Sequence, residues 1–363
     1  MRKRIRTSAW ARTFQRQFVA LTRLATEAGK KALAKAPKRA AARPKPSSDA
    51  GAWIPGVAIG TTGTMGAMGA RRFRLFRPPG IQPGERLPLL VMLHGCGQDA
   101  AGFAASTRMN RVALRERFLV LYPEQDRLAN AQGCWNWFET DSGRAYGEVA
   151  LIMKAIDQVC LLHPVDRSQV AVAGLSAGAS LAALMVTRHP GRFQALVMHS
   201  GVPPGTAHST LSALGAMHGR RATVPLLASP GAMEANWPPL LVIHGTVDGV
   251  VSPRNGQAAV QLWAQAAGAK AGAARRVQRG KRYPMCVTDY KRGGRTVATQ
   301  IEVQGLAHAW SGGAATQPFS DARGPDASRI VWAFAARQFK SLSALDALDE
   351  SRLASAPRRA TAR

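Results

Sequence analysis

The sequence predicts a doubly wound α/β fold built on a mostly parallel sheet, and two observations support this prediction. Short apolar runs alternate with stretches of helical character along most of the 363 residues, as in parallel sheets with helices on both faces. Chemically distinctive residues come directly after several of the apolar runs, where the carboxyl edge of such a sheet would lie. With 46% hydrophobic residues, the chain can bury one large core.

The predicted elements alternate in chain order. The first clear strand covers residues 88–93, and its proline stands at the first position, where no ladder hydrogen bond is lost. Residues 206–236 lack a regular pattern, and we expect a cap or a long excursion there. The remaining strands are expected over residues 169–173, 240–245 and 296–303, and the helices over residues 148–162, 179–186, 258–267 and 326–342.

The most informative segment is Gly-Leu-Ser-Ala-Gly at residues 174–178, because a predicted strand precedes it and a predicted helix follows it. Strand, Gly-x-Ser-x-Gly and helix together are typical of a nucleophile elbow, a tight turn that exposes a serine hydroxyl above the sheet. The helix start can also stabilise negative charge. We therefore predict that Ser176 is a nucleophile rather than part of an ordinary turn.

A serine nucleophile needs a base, and the base needs an orienting acid. In α/β-hydrolases these follow in the order Ser, Asp, His. Asp248 lies just past the strand at residues 240–245, and His308 lies in a loop of small residues after the strand at residues 296–303. The other histidines precede prolines, end strands before the acid or fall in irregular segments. Asp248 and His308 are the predicted acid and base, with a solvated turn as the alternative for Asp248.

An oxyanion hole needs two backbone N–H donors. One is expected from Ala177, the residue after the nucleophile. The second is expected from the glycine-rich loop after the first strand, where Cys96 lies between two glycines. His94 in the same loop is expected to brace it rather than to take part in chemistry.

Six sequence blocks together resemble the poly(3-hydroxybutyrate) depolymerase family of esterases. The Gly-x-Ser-x-Gly block is common to many esterases, whereas the tryptophan-containing blocks are far more specific. All six occur in the expected order, and the resemblance runs from about residue 53 to residue 339. The blocks are residues 94–98 (HGCGQ), 122–125 (YPEQ), 134–138 (CWNWF), 174–178 (GLSAG), 244–248 (HGTVD) and 308–313 (HAWSGG).

This resemblance implies an α/β-hydrolase whose catalytic residues are Ser176, Asp248 and His308, with Cys96 and Ala177 as oxyanion donors. It implies hydrolysis of poly(3-hydroxybutyrate) or its oligomers. The sequence contains no visible metal-ligand cluster or phosphate-binding loop, so we expect neither a cofactor nor a metal. A feruloyl or acetylxylan esterase, or a granule-coat protein with a vestigial hydrolase domain, remains the alternative. We expect Trp135, Trp137 and Trp310 to line an apolar substrate groove. The alternative is that these three tryptophans are ordinary core residues.

The net charge of +28 is concentrated partly in an N-terminal arm. Residues 1–50 contain fourteen Lys and Arg against two acidic residues. Trp10, Phe14, Phe18 and Leu21 recur there at helical spacing. We expect either an amphipathic surface helix, which could dock on a polymer granule, or a solvated tail, with weak non-specific nucleic-acid binding also open. The predicted domains are an arm at residues 1–52, a catalytic domain at 53–345 and a basic tail at 346–363.

Arginines interrupt every apolar run of the arm, so a secretory leader is not expected. No run is long enough for a transmembrane helix. We therefore expect a cytoplasmic protein, with an extracellular one as the alternative. Cys96 and Cys134 lie in two blocks expected near the site and can bridge if the protein is exported, so their pairing stays open.

Overall fold

The computed structural model describes residues 51–62, 67–223 and 237–355, with side chains described up to residue 341 in the last range. Its centre is a large twisted sheet with an additional two-stranded pair. The strands, in chain order, are β1 (Ala52–Thr62), β2 (Ala67–Arg77), β3 (Leu87–Leu93), β4 (Leu119–Pro123), β5 (Val165–Leu175), β6 (Ala195–His199), β7 (Leu240–Gly245), β8 (Lys270–Ala271), β9 (Arg275–Val277), β10 (Met285–Arg292), β11 (Arg295–Val303), β12 (Trp310–Ser311) and β13 (Ser320–Asp321).

The main sheet has the order β1-β2-β4-β3-β5-β6-β7-β11-β10-β8, with β9 also paired to β10. Strands β4, β3, β5, β6, β7 and β11 run parallel to one another. Antiparallel strands complete both edges, namely the β1–β2 hairpin on one side and β10 with its short partners on the other. The carboxyl ends of β3, β5, β6, β7 and β11 therefore lie along one edge.

Helices cover both faces of this sheet. They are α1 (Ala100–Thr107), α2 (Met109–Glu116), α3 (Arg144–Leu162), α4 (Ala177–Arg188), α5 (Thr210–Met217), α6 (Arg254–Ala266) and α7 (Ala327–Ser355). One apolar core joins the sheet to α3, α4 and α6, and the other joins it to α1, α2 and α7. Successive residues of β3 point to opposite cores, as strand geometry requires.

These observations confirm the predicted doubly wound, mostly parallel sheet. All eight predicted elements occur, with boundaries shifted by a few residues, and α7 continues in helical backbone to Ser355 instead of ending near residue 342. The irregular segment at residues 206–236 contains α5, while residues 224–236 lie outside the described residues, as does the predicted N-terminal arm up to residue 50. Among the helices described here, none combines the length and apolar character that a bilayer crossing requires.

Candidate active site

Ser176 occupies a strained turn between β5 and α4. Its backbone has φ 55° and ψ −121°, a conformation that few non-glycine residues adopt. The two glycines of the motif make this turn possible, because a Cβ atom on Gly174 would lie 2.4 Å from the backbone of Gly178, and one on Gly178 would lie 2.2 Å from the carbonyl oxygen of Leu93. The elbow predicted from the sequence is thus present in the geometry.

Hydrogen bonds hold the elbow in place. The Ser176 N–H donates to the carbonyl oxygen of His199 at the end of β6, at 2.8 Å. The Ser180 N–H and hydroxyl both donate to the Ser176 carbonyl oxygen, at 3.0 and 3.2 Å. Because the backbone on both sides is fixed, the serine side chain is presented from a rigid support.

Asp248 and His308 are brought together at the same sheet edge. The Nδ1 atom of His308 lies 2.8 Å from Oδ2 of Asp248, and the carboxylate is fully buried. The other oxygen of Asp248 accepts hydrogen bonds from the N–H groups of Val250 and Val251, at 3.0 and 2.9 Å. Burial opposes ionisation of this carboxyl, but the nearby His308 and His244 outweigh it and hold the pKa of Asp248 well below its ordinary value. The carboxylate is therefore ionised when it faces the imidazole.

The acid loop and the histidine loop are joined directly. The N–H of Val247 donates to the Leu306 carbonyl oxygen at 3.2 Å, and the N–H of Gly305 donates to the Thr246 hydroxyl at 3.0 Å. The imidazole of His308 is thereby oriented with Nδ1 toward the acid, which leaves Nε2 for another partner.

His199 links the histidine loop to the elbow. Its carbonyl oxygen accepts from Ser176, while its Nε2 accepts a hydrogen bond from the N–H of Ser311 at 3.1 Å. Its ring also stacks on Trp310, with centroids 5.0 Å apart. Burial, together with the charges of His244 and His308, lowers the pKa of His199 to about 3, so the ring is neutral and its Nε2 can accept. Ser176 and His308 are thus anchored to one residue, although in the described part of the chain no hydrogen bond joins Ser176 Oγ to His308.

The backbone amides of Cys96 and Ala177 are the two predicted oxyanion donors. Within the described residues neither N–H donates to a protein acceptor, and the Ala177 N–H at the first helical position has no partner inside its own helix. The start of α4 lies against the end of β3, as the close approach of Gly178 to Leu93 shows. The two predicted oxyanion donors therefore lie on neighbouring segments at the sheet edge.

A disulfide and a buried histidine support the loop that carries Cys96. Cys96 is bonded to Cys134, with Cα atoms 4.2 Å apart. The Nε2 atom of His94 accepts from the N–H of Gln125 at 3.1 Å, and Trp135 donates its indole N–H to the His94 carbonyl oxygen at 2.9 Å. Burial lowers the pKa of His94 to about 4. His94 thus braces the loop, as expected.

Two of the three predicted groove tryptophans are core residues instead. Trp135 and Trp310 are both 0% exposed, and the indole N–H of Trp310 donates to the Ser328 hydroxyl at 3.1 Å. A side chain without accessible surface cannot line a substrate groove, so the expectation was wrong for these two residues. Each supports a loop of the site from beneath. Trp137, which is 8% exposed and packs edge-to-face on Phe138, stays a candidate.

Sequence reasoning missed a buried polar network beneath the same loop. The guanidinium of Arg71 donates to the Gln125 side chain, and Gln125 donates to the Glu148 carboxylate at 2.5 Å. Glu148 also accepts from the N–H and the side-chain amide of Asn136, at 2.9 and 2.7 Å. The available signal was a single charged residue, Glu148, among the apolar positions of α3.

Across the described residues, no group of three His, Cys, Asp or Glu side chains is arranged to hold a metal.

Comparison with known proteins identifies the family. The family described as "Esterase PHB depolymerase" matches residues 71–283. Poly(3-hydroxyalkanoate) depolymerase C of Paucimonas lemoignei is 35% identical over 175 residues, which cover 46% of this chain and 42% of that protein. Feruloyl esterase B of Neurospora crassa is 27% identical over 198 residues, which cover 50% of this chain and 65% of that protein. The chain thus spans less than two thirds of the length of these relatives.

Solved structures support the same fold. An acetyl xylan esterase from Aspergillus awamori superposes with a TM-score of 0.56 at 20% sequence identity, covering 66% of this chain and 89% of that one. A ferulic acid esterase superposes with a TM-score of 0.50 at 16% identity, covering 80% and 99%. At these identities the likeness concerns the α/β-hydrolase fold alone. Because the family match covers more than half of the chain, the protein belongs to the Esterase PHB depolymerase family.

Proposed function

We propose that this protein is a serine esterase that hydrolyses carboxylic esters through Ser176, Asp248 and His308. The observation that carries the proposal is the 2.8 Å contact between His308 and the buried carboxylate of Asp248, at the sheet edge where the elbow presents Ser176. The amides of Cys96 and Ala177 add the expected binding site for negative charge. Family membership supports the same chemistry.

The reaction is a two-step acyl transfer. Ser176 Oγ attacks the ester carbonyl carbon while Nε2 of His308 takes the hydroxyl proton, and Asp248 stabilises the resulting imidazolium. The carbonyl oxygen becomes an oxyanion that accepts hydrogen bonds from the Cys96 and Ala177 amides, and each such donor contributes about 3–4 kcal/mol in comparable sites. The C–O bond then breaks, and the leaving alcohol takes the proton from His308. Water attacks the acyl-serine by the same route and releases the acid.

The substrate proposed is poly(3-hydroxybutyrate) or its oligomers. Three large apolar side chains project from loops or helices that follow β4, β6 and β7 at the site edge: Leu128 is 95% exposed, Leu211 73% and Val247 59%. We take these exposed side chains as the proposed contact surface for an apolar polyester rather than for a polysaccharide backbone. Trp137 is the remaining candidate for contact with the hydroxyacyl units. The similarity to a feruloyl esterase supports feruloyl or acetylxylan esters as the second candidate substrates.

A substrate panel tests both proposals. The purified protein and a Ser176→Ala variant are assayed on hydroxybutyrate oligomers, a feruloyl ester and acetylated xylan, and a fluorophosphonate probe reports the reactive serine. We expect hydrolysis of the oligomers to be fastest and to fall by about 10³-fold or more in the variant, as when triad serines are removed. Faster feruloyl turnover would assign the second substrate class. A folded variant with a tenth of the original rate would refute the triad, and an unlabelled wild-type protein would favour a granule-coat role.

Localisation is part of the same proposal. The Cys96–Cys134 disulfide supports the proposal that the protein functions in an oxidising compartment, because such bonds persist outside the cytoplasm. The alternative is a cytoplasmic protein, in which the two thiols would be reduced. In that case the arm at residues 1–52 would dock on a polymer granule or on anionic components such as nucleic acid. Alkylation of free thiols in cell extract, read by mass spectrometry, distinguishes the two: four alkylated cysteines indicate the cytoplasm, and two indicate export.

A further inference from the structure

Among the described residues, no helix covers one face of the sheet at its β10 edge. Helix α6 packs on β7, β11 and β10 from one side, whereas on the opposite side α7 packs mainly on β5, β6 and β7. Beyond α7 a groove of about 1620 Å³ extends over β11 and β10. It runs from the amino ends of β6 and β7 to the start of α7, and Ser176, Asp248 and His308 are not among the residues that line it.

The floor of this groove is apolar. It consists of apolar side chains from the sheet strands and from α7, of which Ile330 is partly buried and the others are buried: Leu241, Met285, Val287, Ile301 and Phe334. Apolar sheet side chains at such positions are normally covered by a helix of the same layer. In the part of the chain that the structure describes, the groove therefore has the form of an unfilled helix position beside α7.

The rim of the groove is strongly basic. Six arginines and two aspartates line it, a net charge of +4. Arg275 pairs with Asp289 at 2.6 Å, and Arg282 donates to the Gly324 carbonyl oxygen at 2.6 Å. Within the described part of the chain, the other four have no carboxylate within ion-pair distance: Arg279, Arg295, Arg329 and Arg337. The guanidinium of Arg337 lies over the Phe334 ring, 5.9 Å from its centroid. Guanidinium groups without a carboxylate partner around one groove favour an anionic occupant.

Charge and size together restrict the occupant. The arm at residues 1–52 carries a net charge of +12 and a second copy of this chain carries +28, so both are repelled by the rim. A groove of this size exceeds the roughly 300–1,000 Å³ typical of small-molecule sites. The apolar floor offers nothing to a nucleic-acid backbone. We propose that the groove binds an acidic amphipathic helix of a partner protein, with its apolar face on the floor and its carboxylates on the arginine rim.

The test uses a synthetic probe and a matched pair of variants. The probe is a fluorescein-labelled helical peptide of about 20 residues, long enough for about 30 Å, with leucines on one face and glutamates on the other. A scrambled peptide of the same composition is the control. The groove variant is Arg279→Glu/Arg295→Glu, and the charge-matched control is Arg77→Glu/Arg111→Glu, whose arginines are also exposed but lie outside the groove.

Binding is measured by fluorescence anisotropy on full-length protein, at about 50 mM salt where surface charges are weakly screened. We expect saturable binding of the amphipathic peptide, at least about tenfold weaker binding to the groove variant, equivalent to about 1.4 kcal/mol, and little change for the control variant. A benzophenone on the leucine face should crosslink to groove residues. Ester hydrolysis and unfolding temperature should match wild type in both variants, because neither touches the active site.

Four results would overturn the proposal. These are no saturable binding, equal binding of the scrambled peptide, equal losses in the two variants, or crosslinks outside the groove. Stronger binding of a single-stranded DNA oligonucleotide with the same dependence on Arg279 and Arg295 would assign the groove to nucleic acid instead. Loss of esterase activity in the panel above would leave this test unaffected, because none of the three triad residues lines the groove.

Discussion

Replacement of Gly178 by alanine should impair catalysis in a protein that still folds. The added Cβ would lie 2.2 Å from the Leu93 carbonyl oxygen and 2.5 Å from that of His94. Carbon–oxygen contacts normally lie at about 3.3–3.6 Å, so α4 and the end of β3 must separate by about 1 Å. Both partners are backbone, and no side-chain rotation can relieve the clash. The separation moves Ala177 and Cys96, the two proposed oxyanion donors, apart.

A misplacement of about 1 Å costs catalysis about 100-fold, which corresponds to about 2.7 kcal/mol of barrier. Overpacking destabilises by about 1–3 kcal/mol. The assay measures kcat/KM on a soluble ester, together with the free energy of unfolding. The matched control is Gly249→Ala, because a Cβ beside the acid loop at that position meets no atom within 4 Å. If Gly178→Ala keeps a third of the wild-type kcat/KM, the proposed coupling between elbow and oxyanion loop is wrong.

Three further predictions concern the triad, acid stability and the arm. The Asp248→Ala/His308→Ala double variant should be scarcely slower than His308→Ala alone, because triad members act as a unit; multiplicative losses in kcat would show that one residue is misassigned. Burial lowers the pKa of His94 to about 4 and that of His199 to about 3, so the unfolded chain binds more protons below pH about 6.5. The free energy of unfolding should therefore fall by up to about 1.4 kcal/mol per pH unit for each histidine as pH drops from about 6.5 toward 4, and equal urea midpoints at pH 7 and 5 would contradict this. Deletion of residues 1–46 should leave soluble-ester turnover within about a factor of two while granule co-sedimentation falls and becomes less salt-sensitive; equal sedimentation would make the arm a passive tail.

The elbow and the acid–base pair could be predicted because their signals are local. The motif around Ser176 lies between a recognisable strand and helix, and chain order selects Asp248 and His308. The structure joins the last two by a hydrogen bond, while their action on Ser176 stays a prediction.

The supporting residues could not be predicted in the same way, because they depend on contacts that are distant in sequence. Arg71 and Glu148 meet through Gln125, and no periodicity links them. The position of a tryptophan in a sequence block near the site likewise does not show which way its side chain points. Trp135 and Trp310 were therefore assigned to the substrate groove, although both are buried in the core. The β1–β2 hairpin also escaped prediction, because its apolar alternation is diluted by glycine and arginine.

The Cys96–Cys134 bond changes the unfolded chain as well as the folded one. It closes a loop with a sequence separation of 38 residues, and in the chain-entropy description a loop of that length lowers the free energy of the folded state relative to the unfolded one by about 4 kcal/mol. Most of that loop consists of β4, which is a strand of the sheet, and of α1 and α2, which pack on the face of the sheet opposite α4. A reduced chain would have to close the same loop through packing alone. The segment that holds the oxyanion donor would then unfold before the rest of the protein. Loss of activity would therefore precede global unfolding.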